Sequence, residues 1–137
     1  MTGEVDAARP IWAEIDLGAI THNIGRIRER AGRPVGLIVA VKANAYGHGA
    51  VPVARAALRA GADWLAVATL AEGDELRRAG IDAPVLLLGP VPPGEEAAAI
   101  TLGLRLPVCG PEALARLARL SSQAGEPLRL DLKVDTG

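Results

Sequence analysis

The chain of 137 residues has no phenylalanine, one tyrosine and two tryptophans. So few rings exclude a base-stacking platform, and any core must come from Ala, Leu, Val and Ile. A formal net charge of −1 without a basic patch excludes a nucleic-acid surface. The single cysteine, Cys109, allows no intrachain disulfide, which suits a reducing compartment. No apolar run approaches the roughly 18 residues that a membrane span requires. The opening stretch MTGEVDAARP is polar and acidic, with no hydrophobic signal core. We expect a soluble cytoplasmic chain with no nucleic-acid, membrane or metal partner.

Lysine is the most informative scarcity. Of the 15 basic residues 13 are arginine, and the only lysines are Lys42 and Lys133. Arginine supplies a fixed charge; lysine alone can lose its proton and act as a nucleophile.

What is abundant is a repeat. Ala-Gly recurs at 31–32, 60–61, 79–80 and 124–125, and Leu102-Gly103 holds the equivalent place. Each pair separates a helix-like segment from an aliphatic run, as a left-handed glycine ending a helix would. The runs VGLIVAV (35–41), WLAVAT (64–69), VLLLG (85–89), LRLPVCG (104–110) and LRLDLKVD (128–135) read as parallel strands covered by helices. The first helix starts at Asp16 and presents Leu17, Ile20, Ile24 and Ile27 on one face. Pro52 lies in the first turn of the second, Thr69 and Glu72 form a capping box for the third, and Gly110-Pro111-Glu112 opens the fifth. The fourth, GEEAAAITLG, carries the weakest pattern.

Two architectures accept this order: a five-stranded doubly wound domain, or the first part of a (β/α)₈ barrel, which takes about 250 residues in full. In the fifth strand Leu128, Leu130, Leu132 and Val134 share one face and Arg129, Asp131, Lys133 and Asp135 the other. That alternation packs one face on outer helices and carries charge into a barrel interior. We therefore expect an incomplete α/β TIM barrel of about five parallel strands.

Barrel enzymes keep their chemistry at the C-terminal strand ends, and Lys42 sits at one. By position alone it is either a strand-end lysine reaching water or a partly desolvated amine able to form a Schiff base. The flanking residues separate the two. VAVKANAYGHG (39–49) resembles the lysine segment of bacterial, pyridoxal-phosphate-dependent alanine racemases. WAEIDLGAITHNI (12–24), ALRAGADWLAVATLAEGDELRRAGI (57–81) and LKVDTG (132–137) are similar to the opening, the second and third units and the fifth-strand motif of that family.

The resemblance implies that Lys42 carries pyridoxal 5′-phosphate as a Schiff base and exchanges a proton with the substrate. It implies that Tyr46 donates a hydrogen bond to the cofactor phosphate. Lys133 matches a lysine that some members carry carbamylated, where it helps position the arginine that contacts the substrate carboxylate. A plain lysine paired with Asp131 or Asp135 is the other reading. The second base would be a tyrosine of a partner subunit in a homodimer, beyond this chain. Residues 1–137 would be the N-terminal part of the cofactor-binding barrel, with the remaining strands and a C-terminal domain absent. The activity implied is interconversion of L- and D-alanine, which supplies D-alanine for peptidoglycan.

Other residues have plainer roles. Asn44 and Ala45 shape the loop, His48 stabilises it by a hydrogen bond, His22 is solvated, and Cys109 reads as a small buried residue. Competing functions are a broad-specificity amino-acid racemase, a decarboxylase relative, or a fragment inert by itself. A receiver-like module is disfavoured, because its third strand should end in an acceptor aspartate and here ends LLLGP.

Overall fold

A computed structural model describes residues 11–125, 127–134 and 136. Helix α1 (Leu17–Ala31) starts at Asp16, whose carboxylate accepts from the N–H groups of Gly18 at 2.7 Å and Ala19 at 3.1 Å. There follow β1 (Ile38–Ala40), α2 (Lys42–Tyr46), α3 (Ala50–Arg59), β2 (Trp64–Val67) and α4 (Leu70–Arg78). The chain continues through β3 (Val85–Leu87), α5 (Glu96–Thr101), β4 (Leu104–Val108), α6 (Pro111–Ala124) and β5 (Leu130–Leu132). The repeat glycines behave as expected. All five carry positive φ, from +63° at Gly103 to +99° at Gly61.

The strands are parallel and lie in the order β1-β2-β3-β4-β5. A doubly wound sheet reverses its strand order at a switch point; here every strand neighbours the next in sequence, which is the winding of a barrel wall. The fold is a partial α/β barrel. Among the described residues no helix is long and apolar enough to cross a membrane.

One face of the sheet packs on the helices. Val41, Leu65, Val85 and Leu106 are at most 2 % exposed and meet Val53, Leu76, Ala99 and Leu117 of the helix layer. Without aromatic bulk the layers must approach closely. The alanines of α3 permit it: Ala54, Ala56 and Ala57 are fully buried, and α3 packs against α1. Gly73 permits the same for α4, since a Cβ there would stand 2.7 Å from Cδ1 of Leu104.

Several expectations need correction. Ile27 is not on the buried face of α1 but 54 % exposed, because it lies at the margin of the stripe. Arg28, one residue on, turns inward instead, its side chain 19 % exposed. Leu132 and Val134 are 79 % and 66 % exposed, since no described element lies over them; only Leu128 and Leu130 of that face reach the core. Cys109 is exposed rather than buried, because β4 ends at Val108.

Two arginines tie down the N-terminal ends of the strands. Arg28 donates to Gly61 O at 3.0 and 2.6 Å and to Val35 O at 2.5 Å, and pairs with Asp63. Asp63 in turn accepts from Leu37 N–H at 2.7 Å. Arg77 donates to the carbonyls of Ile81, Ala83 and Leu102 at 2.6, 2.9 and 2.8 Å. Farther along, Glu96 is 5 % exposed and accepts from Arg116 at 2.6 Å, joining α5 to α6. That hydrogen bond outweighs burial and holds the Glu96 carboxyl below its usual range.

Two expected outcomes follow from this packing. Gly73→Val should destabilise the intact protein by about 1–3 kcal/mol through overpacking against Leu104; an unchanged urea midpoint would show that Leu104 has room to move. The Asp63 carboxyl is held below its ordinary 3.8 by the Leu37 N–H first and by Arg28 second. A carboxyl depressed in the folded state contributes stability above its unfolded-state pKa and loses it as pH falls through the folded one. Asp63→Asn should therefore shrink the fall in thermal midpoint between about pH 5 and about pH 2. An acid limb of unchanged steepness would show that Asp63 adds nothing to it.

Candidate active site

The β1–β2 ladder runs one residue beyond β1, with Val41 N–H donating to Ala66 O at 2.8 Å. Since side chains alternate along a strand and Val41 faces the helices, Lys42 belongs to the opposite face with Ile38 and Ala40. It borders a cavity of about 620 Å³ at the C-terminal strand ends, whose wall also includes Ala68, Leu86, Pro107, Asp131 and Lys133. That volume lies within the usual range for small-molecule sites. The fold thus brings the only two lysines, 91 positions apart (133 − 42), to one cavity.

Their surroundings differ. Lys42 is half-buried, and no carboxylate among the described residues lies within ion-pair distance of its amine. Lys133 donates from Nζ to Leu88 O at 3.2 Å, and its N–H to Val108 O at 2.9 Å. The alternative reading of Lys133, a pairing with Asp131, is not met by the structure. Both Asp131 oxygens are taken by Arg105, at 2.9 and 2.6 Å, and Arg105 lies 5.5 Å from the centre of the Trp64 ring. The bond to Asp131 raises the Arg105 pKa further, so both charges stay committed to each other. Asp135 lies outside the described residues.

What reads in sequence as a loop after Lys42 is a left-handed helical turn. Ala43, Asn44, Ala45 and Tyr46 have φ of +50°, +53°, +52° and +56°. Its bonds keep helical spacing, from Ala45 N–H to Val41 O at 2.8 Å and from Gly47 N–H to Ala43 O at 3.0 Å. Left-handed backbone costs an L-residue roughly 1–2 kcal/mol, and such strain persists only where neighbours enforce it.

The enforcing bonds are visible. Asn44 Oδ1 accepts from Ala50 N–H at 2.7 Å, and its carbonyl from Gly49 N–H at 2.9 Å. His48 Nδ1 lies 2.9 Å from Ala45 O, so the expected loop-stabilising bond is present, as is the shaping role of Asn44. The last restraint comes from α4. Glu72 completes the capping box with Thr69, yet its other oxygen accepts from Ala43 N–H at 2.8 Å. Sequence reading found the cap but not the reach to Ala43, for which a one-dimensional pattern carries no signal.

Tyr46 closes the left-handed turn and is 61 % exposed rather than packed into the core. His22 is exposed, as expected for a solvated residue.

Comparison with known proteins bears on this geometry. Residues 15–137 match the family model described as alanine racemase, N-terminal domain. The chain is 51 % identical over 134 residues to the alanine racemase of Symbiobacterium thermophilum, covering 98 % of this chain and 35 % of that protein. It is 46 % identical over 129 residues to alanine racemase 1 of Bacillus subtilis, covering 94 % and 33 %. The crystal structure of alanine racemase from E. faecalis superimposes with a TM-score of 0.84 at 43 % identity, over 90 % of this chain and 33 % of that one. The alanine racemase from Streptomyces coelicolor does so with a TM-score of 0.78 at 41 % identity, over 90 % and 33 %. The chain spans about a third of the length of the curated relatives it matches. A family match across nearly the whole chain, on a barrel wall with the motif lysine at its mouth, leads to one conclusion: this chain belongs to the alanine racemase N-terminal domain family.

Proposed function

We propose that residues 1–137 are the N-terminal part of the cofactor-binding barrel of a cytoplasmic, homodimeric alanine racemase that supplies D-alanine for peptidoglycan. The remaining strands and a C-terminal domain belong to chain outside this sequence. The observation that carries this reading is the amine of Lys42, without a carboxylate partner among the described residues, at the mouth of a barrel wall and inside VAVKANAYGHG.

The chemistry of the donors fits pyridoxal 5′-phosphate. A carbonyl cofactor needs a primary amine that is not neutralised by an ion pair, and Lys42 is one. A phosphate dianion is favoured by a cavity whose wall holds two lysines while the nearby carboxylate, Asp131, is already occupied by Arg105. When bound, the cofactor acts as an electron sink that acidifies the Cα–H bond of an amino acid. Lys42 would hold the group through Nζ and, once the amine of the amino acid has replaced it there, would take or return the Cα proton on its own face. Tyr46, on the outer end of the turn, would donate its phenolic O–H to the phosphate. Racemisation needs a second base on the opposite face, from a partner subunit. Lys133 is the residue that would be carbamylated, its Nζ directed at the Leu88 carbonyl in the same cavity.

In the intact enzyme, borohydride should fix pyridoxal phosphate to the peptide that contains Lys42. Lys42→Arg should abolish both that label and alanine racemisation, because a guanidinium stays protonated. Recovery of the label on the Lys133 peptide would refute the assignment. Tyr46→Phe should weaken cofactor retention by about 1–2 kcal/mol, the scale of a hydrogen bond to a charged acceptor, without lowering the thermal midpoint. Equal cofactor affinity in the two proteins would leave Tyr46 as a surface residue of the turn.

A further inference from the structure

We propose that Glu72 is a positioning residue for Lys42: its carboxylate fixes the backbone from which the reactive amine is presented. The inference rests on the reading that Lys42 carries the cofactor, and it assigns a role to a residue on a different βα unit.

A capping box needs a glutamate only to accept from the N-cap N–H. Glu72 does this with one oxygen, Oε2, which receives Thr69 N–H at 3.2 Å and Ala68 N–H at 2.7 Å. The other oxygen, Oε1, is directed away from α4 and accepts from Ala43 N–H at 2.8 Å, 29 residues earlier in the chain. Ala43 is the residue where the backbone enters the left-handed region, with φ +50°. Its N–H belongs to neither the β1–β2 ladder nor the internal bonds of the turn, so Glu72 is what anchors it.

The consequence for Lys42 is geometric. The peptide plane before it carries Val41 O, which accepts from Ala45 N–H at 2.8 Å, and the plane after it carries Ala43 N–H, which donates to Glu72. Both peptide planes flanking the lysine are thereby held, one from within the turn and one by α4, while β2 holds the peptide before them through Val41 N–H. Releasing the second would let Ala43 relax toward the right-handed region that an alanine prefers, rotating the Lys42 Cα–Cβ bond away from its line into the cavity. Glu72 acts without touching the cofactor. Three N–H groups share its two oxygens, and it makes no ion pair with Lys42.

Two variants of the full-length enzyme separate positioning from capping. Glu72→Gln retains one acceptor oxygen for Ala68 and Thr69 but sets an amide NH₂ against Ala43 N–H, donor to donor. Thr69→Ala removes the hydroxyl that accepts from Glu72 N–H at 3.3 Å, weakening the same cap while leaving the bond to Ala43. The readouts are turnover of alanine per borohydride-captured site, KM and thermal midpoint. Counting captured sites removes any loss from misfolding. Glu72→Gln should lower kcat per captured site by at least about tenfold with KM little changed, as misplacement of a reacting group does. Thr69→Ala should stay within about twofold of the parent at a similarly lowered midpoint. If Glu72→Gln does not fold, Glu72→Asp, too short to reach Ala43, takes its place in the comparison. Equal kcat per captured site in the Glu72 and Thr69 variants would overturn the positioning role while leaving Lys42 as the cofactor lysine. Label on a residue other than Lys42 in the parent enzyme would instead overturn the reading beneath it.

Discussion

Val41, Leu65, Val85 and Leu106 are sealed against the helix layer, and the residues beside them in each strand must therefore face the other way. That constraint organises the rest of the molecule. It directs Lys42 off the end of β1 into the concave side, and it sets Arg105 and Asp131 within the barrel interior, where they neutralise each other. With no phenylalanine available, the seal depends on close approach rather than bulk. Small residues at the contacts, Ala54 and Ala57 in α3 and Gly73 in α4, are the means.

The two ends of the strands divide the cationic residues by chemistry. At the N-terminal ends Arg28 and Arg77 bind backbone carbonyls, a use that suits a fixed charge with several donors in one plane. At the C-terminal ends stand the two lysines, Lys42 without a carboxylate partner among the described residues. In barrels of this kind the N-terminal face serves stability and the C-terminal face chemistry, and the basic residues at the two faces here differ accordingly in type. Arginine in place of either lysine would retain charge and lose nucleophilicity.

Between the strand and the helix that follows, backbone strain is concentrated in one turn. Four consecutive non-glycine residues in the left-handed region would not persist in isolation. They are held by Asn44 from within and by Glu72 from outside. A turn held from two sides gives Lys42 a single backbone setting, which a flexible loop of the same length would not.

Much of the fold is legible in the residues alone, because it rests on local rules. Aliphatic runs mark the five strands, Ala-Gly pairs mark helix ends, Asp16 and the Thr69–Glu72 box mark helix starts, and the LRLDLKVD alternation favours a barrel wall over a doubly wound sheet. The motif around Lys42 identifies the family. Other features depend on what the chain meets in space. Ile27 and Arg28 exchange inside for outside because Gly61, Val35 and Asp63 offer Arg28 its partners. Asp131 pairs with Arg105 rather than Lys133 because β4 lies alongside β5 in the register that brings them together. Alanine and tyrosine prefer right-handed or extended backbone, and Asn44 alone in ANAY tolerates the left-handed region readily, so the sequence does not announce four such residues in a row. The carboxylate of Glu72, carried there by α4, and the closing bond from Ala50 N–H to Asn44 Oδ1 help to make it the stable one.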